Sequence, residues 1–156
     1  MLEKFRTHTA KVVVTSMQEV GRILDYVHDR VFQLSAVRFD RERAALSIPL
    51  TIVADEVTDR KKHLFFRTWR NPVVNADLVI KHVIDFSIKD DAQIGKASIN
   101  TIEIKDGMVV INCDPPVEIL VKVLSAEVEL QISDNVVNKI FRFAFASPFG
   151  QRGEGR

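Results

Sequence analysis

Thr101-Ile102-Glu103-Ile104-Lys105-Asp106-Gly107-Met108-Val109-Val110-Ile111-Asn112 reads as two alternating apolar runs joined by an Asp-Gly pair. Asp-Gly suits a two-residue type I′ turn, whose central positions both take φ > 0, a conformation glycine adopts without steric penalty. Reversing the chain there sets Ile104 opposite Val109 and Ile102 opposite Ile111. Alternate residues and cross-strand partners share a face. These four side chains therefore make one apolar face, and Glu103 points to the other. The stretch predicts a β-hairpin with one buried side.

The same alternation recurs outward in both directions. His8 to Val14 is a first strand candidate through Val12-Val13-Val14. Phe32, Leu34 and Ala36 alternate, and Val37 and Phe39 continue on the other parity, which predicts a bulge near Ala36. Leu46, Ile48, Leu50 and Ile52 alternate after a polar turn at Asp40 to Arg43. Pro49 lacks a donor and favours an edge or a bulge there. Asp55 to Lys62 is a charged connection. Leu64 to Trp69 is a strand candidate that Asn71-Pro72 ends. Leu78 to Ile88 is the longest, with Leu78, Ile80, His82, Ile84, Phe86 and Ile88 on one face. Val117, Ile119, Val121 and Val123 alternate against Glu118, Leu120, Lys122 and Leu124, and the segment is expected to be a strand buried on both faces. Val128, Leu130 and Ile132 alternate with Glu127, Glu129 and Gln131, so that strand reads as half exposed.

Two segments have helical spacing. Ser16-Met17-Gln18-Glu19 fits a capping box, with Ser16 and Glu19 each serving the other's amide. Met17, Val20, Leu24, Val27 and Val31 follow with a 3.6-residue period, which predicts an N-terminal helix over about 16–28. Residues 135–145 fit either element. Val136, Val137, Ile140, Phe141 and Ala144 suit a helix capped by Asp134, and Phe141, Phe143 and Phe145 suit a strand; the helix is preferred. The expected fold is α+β and mainly β, an antiparallel sheet forming a sandwich or a partly open barrel with these two helices. Residues 1–146 read as one globular domain and 147–156 as a flexible tail.

Composition narrows the function classes. With 46% hydrophobic and 28% charged residues the chain falls in the ordinary globular range rather than the disordered one. The 22 basic residues nearly balance the 21 acidic ones, so whole-molecule charge provides no pull toward nucleic acid or anionic lipid. The single cysteine, Cys113, leaves no partner for an internal disulfide. No apolar run approaches the ~20 residues that span a bilayer, and no signal peptide is visible behind Met1. The expectation is a cytoplasmic protein that meets no membrane.

Candidate chemistry is sparse. His8, His28, His63 and His82 match no metal-ligand spacing. His28-Asp29 reads as a helix end followed by a turn. His82 on the longest strand is either a packed histidine or the base of a pocket, which would need a carboxylate beside it. Asp114 next to Cys113 disfavours a thiolate. There is no phosphate-cradling Gly-rich loop and no nucleophile elbow. No catalytic, cofactor or metal residue is expected. The segment Arg60-Lys61-Lys62-His63-Leu64-Phe65-Phe66-Arg67-Thr68-Trp69-Arg70 carries five fixed cations and no acid. Its aromatics split between parities, so it forms no continuous stacking platform by itself. An acidic protein partner is thus expected ahead of nucleic acid. Exposure of Phe143, Phe145 and Phe149 would add a homodimer or partner contact.

Residues Val27-His28-Asp29-Arg30-Val31-Phe32-Gln33-Leu34-Ser35-Ala36-Val37-Arg38-Phe39-Asp40, with the hairpin into Leu46-Ser47-Ile48-Pro49-Leu50, resemble small uncharacterised bacterial β-rich proteins, some classed as toxin-immunity proteins. Arg30 departs from that pattern, which has a small or polar residue after His-Asp. The resemblance implies a β-rich fold and a protein partner, and no catalytic residue. The leading expectation is a non-enzymatic protein-binding module. Its candidate surface is Arg60, Lys61, Lys62, Arg67, Trp69, Arg70, Phe143 and Phe145. Beside it stand a ligand-binding barrel or enzyme with a pocket near His82, and nucleic-acid binding through residues 60–70.

Overall fold

The computed structural model describes residues 10–145. The hairpin at its centre has the expected geometry. β8 (Lys96–Lys105) and β9 (Met108–Asp114) pair with Ile104 opposite Val109 and Ile102 opposite Ile111. Asp106 and Gly107 both take positive φ, 49° and 75°. Ile102, Val109 and Ile111 are buried, and Ile104 packs against the same cluster.

Two antiparallel sheets share one core. The first runs β1 (Ala10–Val14), β11 (Val128–Phe145), β6 (Phe66–Ile80), β4 (Ala45–Val53), β3 (Arg38–Asp40), and β5 (Thr58–Lys62) pairs with β6 off this path. The second runs β2 (Val31–Gln33), β8, β9, β10 (Val117–Val123), β7 (Val83–Lys89). The alternation in β4 aims Leu46, Ile48, Leu50 and Ile52 inward, to meet Leu78 and Ile80 of β6 and Leu130 of β11. From the second sheet come Ile99, Ile111, Ile119 and Val121. Each such side chain removes apolar surface worth roughly 1.5–3 kcal/mol. α1 (Gly21–Val27) adds Ile23 and Val27 to the same cluster. Pro49 lies beyond the end of β3, which pairs only with Ala45 to Ser47, so its missing N–H leaves no gap in that ladder.

Several expectations are corrected. Residues 135–145 are strand, not helix. They extend β11, and a long partner decides the ambiguity: Val136 pairs with Val74 and Asn138 to Phe145 pair with residues 66–73 of β6. The strand at Leu64 does not end at Asn71-Pro72, because β6 continues to Ile80 with Pro72 opposite Lys139. The expected strand 78–88 breaks after Ile80, since His82 takes φ 58° and turns the chain into β7. The charged connection 55–62 contains β5.

The N-terminal helix is shorter than 16–28, with a 3-10 turn at Met17–Glu19 before α1. Its capping box is shifted by one residue. The Thr15 amide, not that of Ser16, donates to Glu19 Oε1 at 2.9 Å, and Ser16 makes no side-chain cap. Near Ala36 a 3-10 turn, Leu34–Ala36, replaces the bulge. β10 buries one face only, with Glu118, Leu120 and Lys122 outside the core. Glu129, expected on an exposed face, is 3% exposed. His8 and Phe149 lie outside the described residues, as does the segment read as a tail.

Candidate functional site

β6 and β11 are the longest strands, and register shifts between Ile132 and Asn138 of β11 divide each into two halves. The inner halves face the core. The outer halves, Phe66 to Pro72 and Asn138 to Phe145, combine with β5 into a three-stranded arm. Bulged register of this kind bends a strand and increases its local twist. Hydrogen bonds pin the base. Asn71 Nδ2 donates to the Glu56 carbonyl at 2.9 Å and Arg142 Nε donates to Asn71 Oδ1 at 3.1 Å. Lys139 Nζ lies 3.3 Å from the Asp59 carboxylate.

This pairing joins the two surfaces singled out in the sequence. Phe145 stands opposite Phe66, Phe143 opposite Thr68, and Phe141 opposite Arg70. Lys61 of β5 lies on the other side of Thr68. One face of the arm therefore carries Phe141, Phe143, Phe145, Phe66, Lys61 and Arg70. Phe141, Phe143 and Phe145 are 58%, 56% and 78% exposed. Phe143 and Phe145 contact edge-on at 5.5 Å, and the His63 ring stacks on Phe66 at 4.3 Å. The connection His63 to Phe65 adds Leu64 and Phe65, both exposed. Among the candidates, Trp69 and Arg67 fall on the opposite face, with Arg142 and Ala144 as their cross-strand partners. The candidate surface is thus one arm with two faces. The separate parities of residues 64–69 alone did not reveal the ring row, because β11 supplies it.

A groove of about 450 Å³ in the arm takes its lining from residues of both parities. Val57, Thr68, Trp69 and Ala144 line it together with Arg60, Lys61, Lys62 and Arg67. Arg67 Nε is buried without a hydrogen-bond partner among the described residues. None of Arg60, Lys61, Lys62, Arg67 and Arg70 has a carboxylate ion-pair partner among those residues.

His82 lies elsewhere. It occupies an exposed turn at the other end of β6, and its Nε2 is 3.2 Å from Glu127 Oε1. A carboxylate is present, as a base would need, but the pair sits on an exposed turn rather than in a cleft. Glu127 belongs to a small network that the sequence did not disclose. Lys81 Nζ lies 3.5 Å from Glu127 and 3.4 Å from Glu129, and Gln131 Nε2 donates to Glu129 at 2.6 Å. Burial works to raise the Glu129 carboxyl. The Gln131 hydrogen bond and the Lys81 and Lys11 charges outweigh it and hold the group below its ordinary value. Burial pushes the Cys113 thiol up to about 11, away from the thiolate a nucleophile needs. His28 Nδ1 lies 3.3 Å from Asp29 at the end of α1. Among the described residues no three His, Cys, Asp or Glu side chains gather to hold a metal, and no helix is long and apolar enough to cross a membrane.

No family model, curated protein or solved structure matches the chain.

Proposed function

We propose that the protein is a non-enzymatic binding module whose arm docks an acidic protein. The observation that carries this reading is the row Phe141, Phe143, Phe145, turned to solvent and flanked by cations without carboxylate partners among the described residues. A phenylalanine presents on the order of 200 Å² of surface. Three in a row approach the few hundred Å² of contiguous apolar area that marks an interaction site on a soluble protein. The cations choose the partner's sign. Near-neutral charge for the whole chain means that this positive field is local to the arm, where it steers an acidic surface into place.

The competing occupant fits less well. A second copy docking face to face would set like charges against one another, because a two-fold interface uses the same patch twice. The likeness of residues 27–50 to immunity-classed proteins agrees with a protein partner.

The test is fluorescence anisotropy with a labelled, terminally blocked peptide, Asp-Leu-Glu-Phe-Asp. The expected result is saturable binding that weakens with salt and falls about thirtyfold in Phe143→Ser/Phe145→Ser. Equal binding by that variant contradicts the reading. A dimer in light scattering that the same variant abolishes replaces it with self-association.

A further inference from the structure

We infer that the groove of the arm is a receptor for a carboxylate set beside an aliphatic side chain, presented by an extended acidic segment of the partner. This rests on the arm reading and deepens it, by naming the groove, the anchor and the contacts.

The groove combines two chemistries. Trp69, Val57 and Ala144 give its lining apolar surface. Arg60, Lys61, Lys62 and Arg67 give it positive charge. At about 450 Å³ it falls within the range of small-ligand pockets, roughly 300–1,000 Å³, and has room for an aliphatic side chain with a neighbouring carboxylate. A purely apolar occupant would leave the cations unpaired, and a purely anionic one would leave the Trp69 surface unused.

Arg67 decides what the occupant must carry. Its Nε is buried and has no acceptor among the described residues. Buried donors without acceptors are costly, and native structures seldom keep them without a use. That Nε has almost no accessible surface, so a carboxylate entering the groove pairs with the rest of the Arg67 guanidinium, whose planar donors favour two parallel bonds. Lys62, opposite Arg67 in the β5–β6 ladder, adds a second charge to the same end. An extended segment fits because alternate side chains of a strand point the same way. One such pair sets a carboxylate on Arg67 and an aliphatic group over Trp69.

Trp69 is the sole tryptophan of the chain, so its emission reports on the surroundings of this one side chain. The experiment titrates wild type with unlabelled blocked Asp-Leu-Glu-Phe-Asp and reads tryptophan emission, in parallel with the anisotropy of the labelled peptide. The expected result is a saturable blue shift. Arg67→Gln weakens it at least tenfold, and Arg67→Lys restores it only in part. Ala144→Leu, which fills the groove without touching a charge, abolishes the shift and guards against a folding defect in the arginine variants. Anisotropy that rises without any change in Trp69 emission, and is insensitive to Arg67→Gln, overturns the groove while the arm reading stands. No anisotropy change in wild type overturns both.

Discussion

Phe143 on β11 stands opposite Thr68 on β6, and Lys61 of β5 lies on the far side of Thr68. The row places an exposed ring, a buried small side chain and a cation with no carboxylate partner among the described residues in line across three strands. Thr68 is buried and Phe143 is not. The ring therefore contributes little to the core, and its exposure calls for another explanation.

Phe143→Ser/Phe145→Ser separates the two roles. Exposed substitutions outside structural features move stability by roughly 0.5 kcal/mol or less. The melting temperature should stay within a few degrees of wild type while peptide affinity falls about thirtyfold, the size of an interface hot spot. Thermal denaturation followed by circular dichroism checks the first half. A large drop in melting temperature would make the rings structural.

Leu78→Ala supplies the contrast. Leu78 is fully buried, with Ile48 and Leu130 as its cross-strand partners. Truncation of such a side chain costs about 2–5 kcal/mol, the spread depending on how far the site collapses. Urea unfolding should show this loss with little change in slope. A cost under 1 kcal/mol would mean that the two sheets do not close over this residue.

Gly107→Val tests the central hairpin. Gly107 takes φ 75°, and an added Cβ would come no nearer than 3.8 Å to the Val123 carbonyl oxygen. Space is available, so the penalty comes from backbone strain, about 1–2 kcal/mol for an L-residue in the left-handed region. Asp106→Asn keeps a residue that suits the same turn and should be close to neutral. Equal stability of Gly107→Val and wild type would show that the turn has another form.

The Glu129 network predicts a pH dependence. The carboxyl is held below its ordinary value of 4.5 in the folded state. Its contribution is therefore complete above that value and is lost as pH falls through the lower folded value. Lys81→Met leaves the buried carboxylate with Gln131 but without its nearest cation, which should cost about 1–3 kcal/mol at neutral pH. The gap between variant and wild type should narrow as pH falls through the lowered value of the wild-type carboxyl, because Glu129 is then protonated in both. Denaturant midpoints across pH 3–7 check this, and a gap independent of pH would contradict it.

How much of this was readable in the chain depends on how far each decision reaches. The 101–112 hairpin was legible because Asp106-Gly107 and the flanking alternation are local and agree. Residues 135–145 were not, since the apolar residues there satisfy a helical and a strand period together. The choice comes from pairing with residues 66–74, which no window around Phe141 contains. His82 looked like the centre of a strand by parity, and only the positive φ imposed by the turn removes it. Glu129 alternated as an outward residue should. Its burial arises from Lys81 and Gln131 closing over it on neighbouring strand positions. For the site, the cationic segment 60–70 was visible as composition. Its junction with Phe141, Phe143 and Phe145 follows from the β6–β11 register alone, as does the separation of Trp69 and Arg67 onto the other face.

The most direct measurement places a photo-crosslinking phenylalanine analogue at position 143, and separately at Leu124, in the cells that make the protein. Leu124 is an exposed apolar residue in the turn beside His82, away from the arm. The account predicts a discrete adduct from position 143 with one acidic protein, reproduced with that protein purified, and none from position 124. No adduct at 143, or the same adducts from both positions, would contradict it.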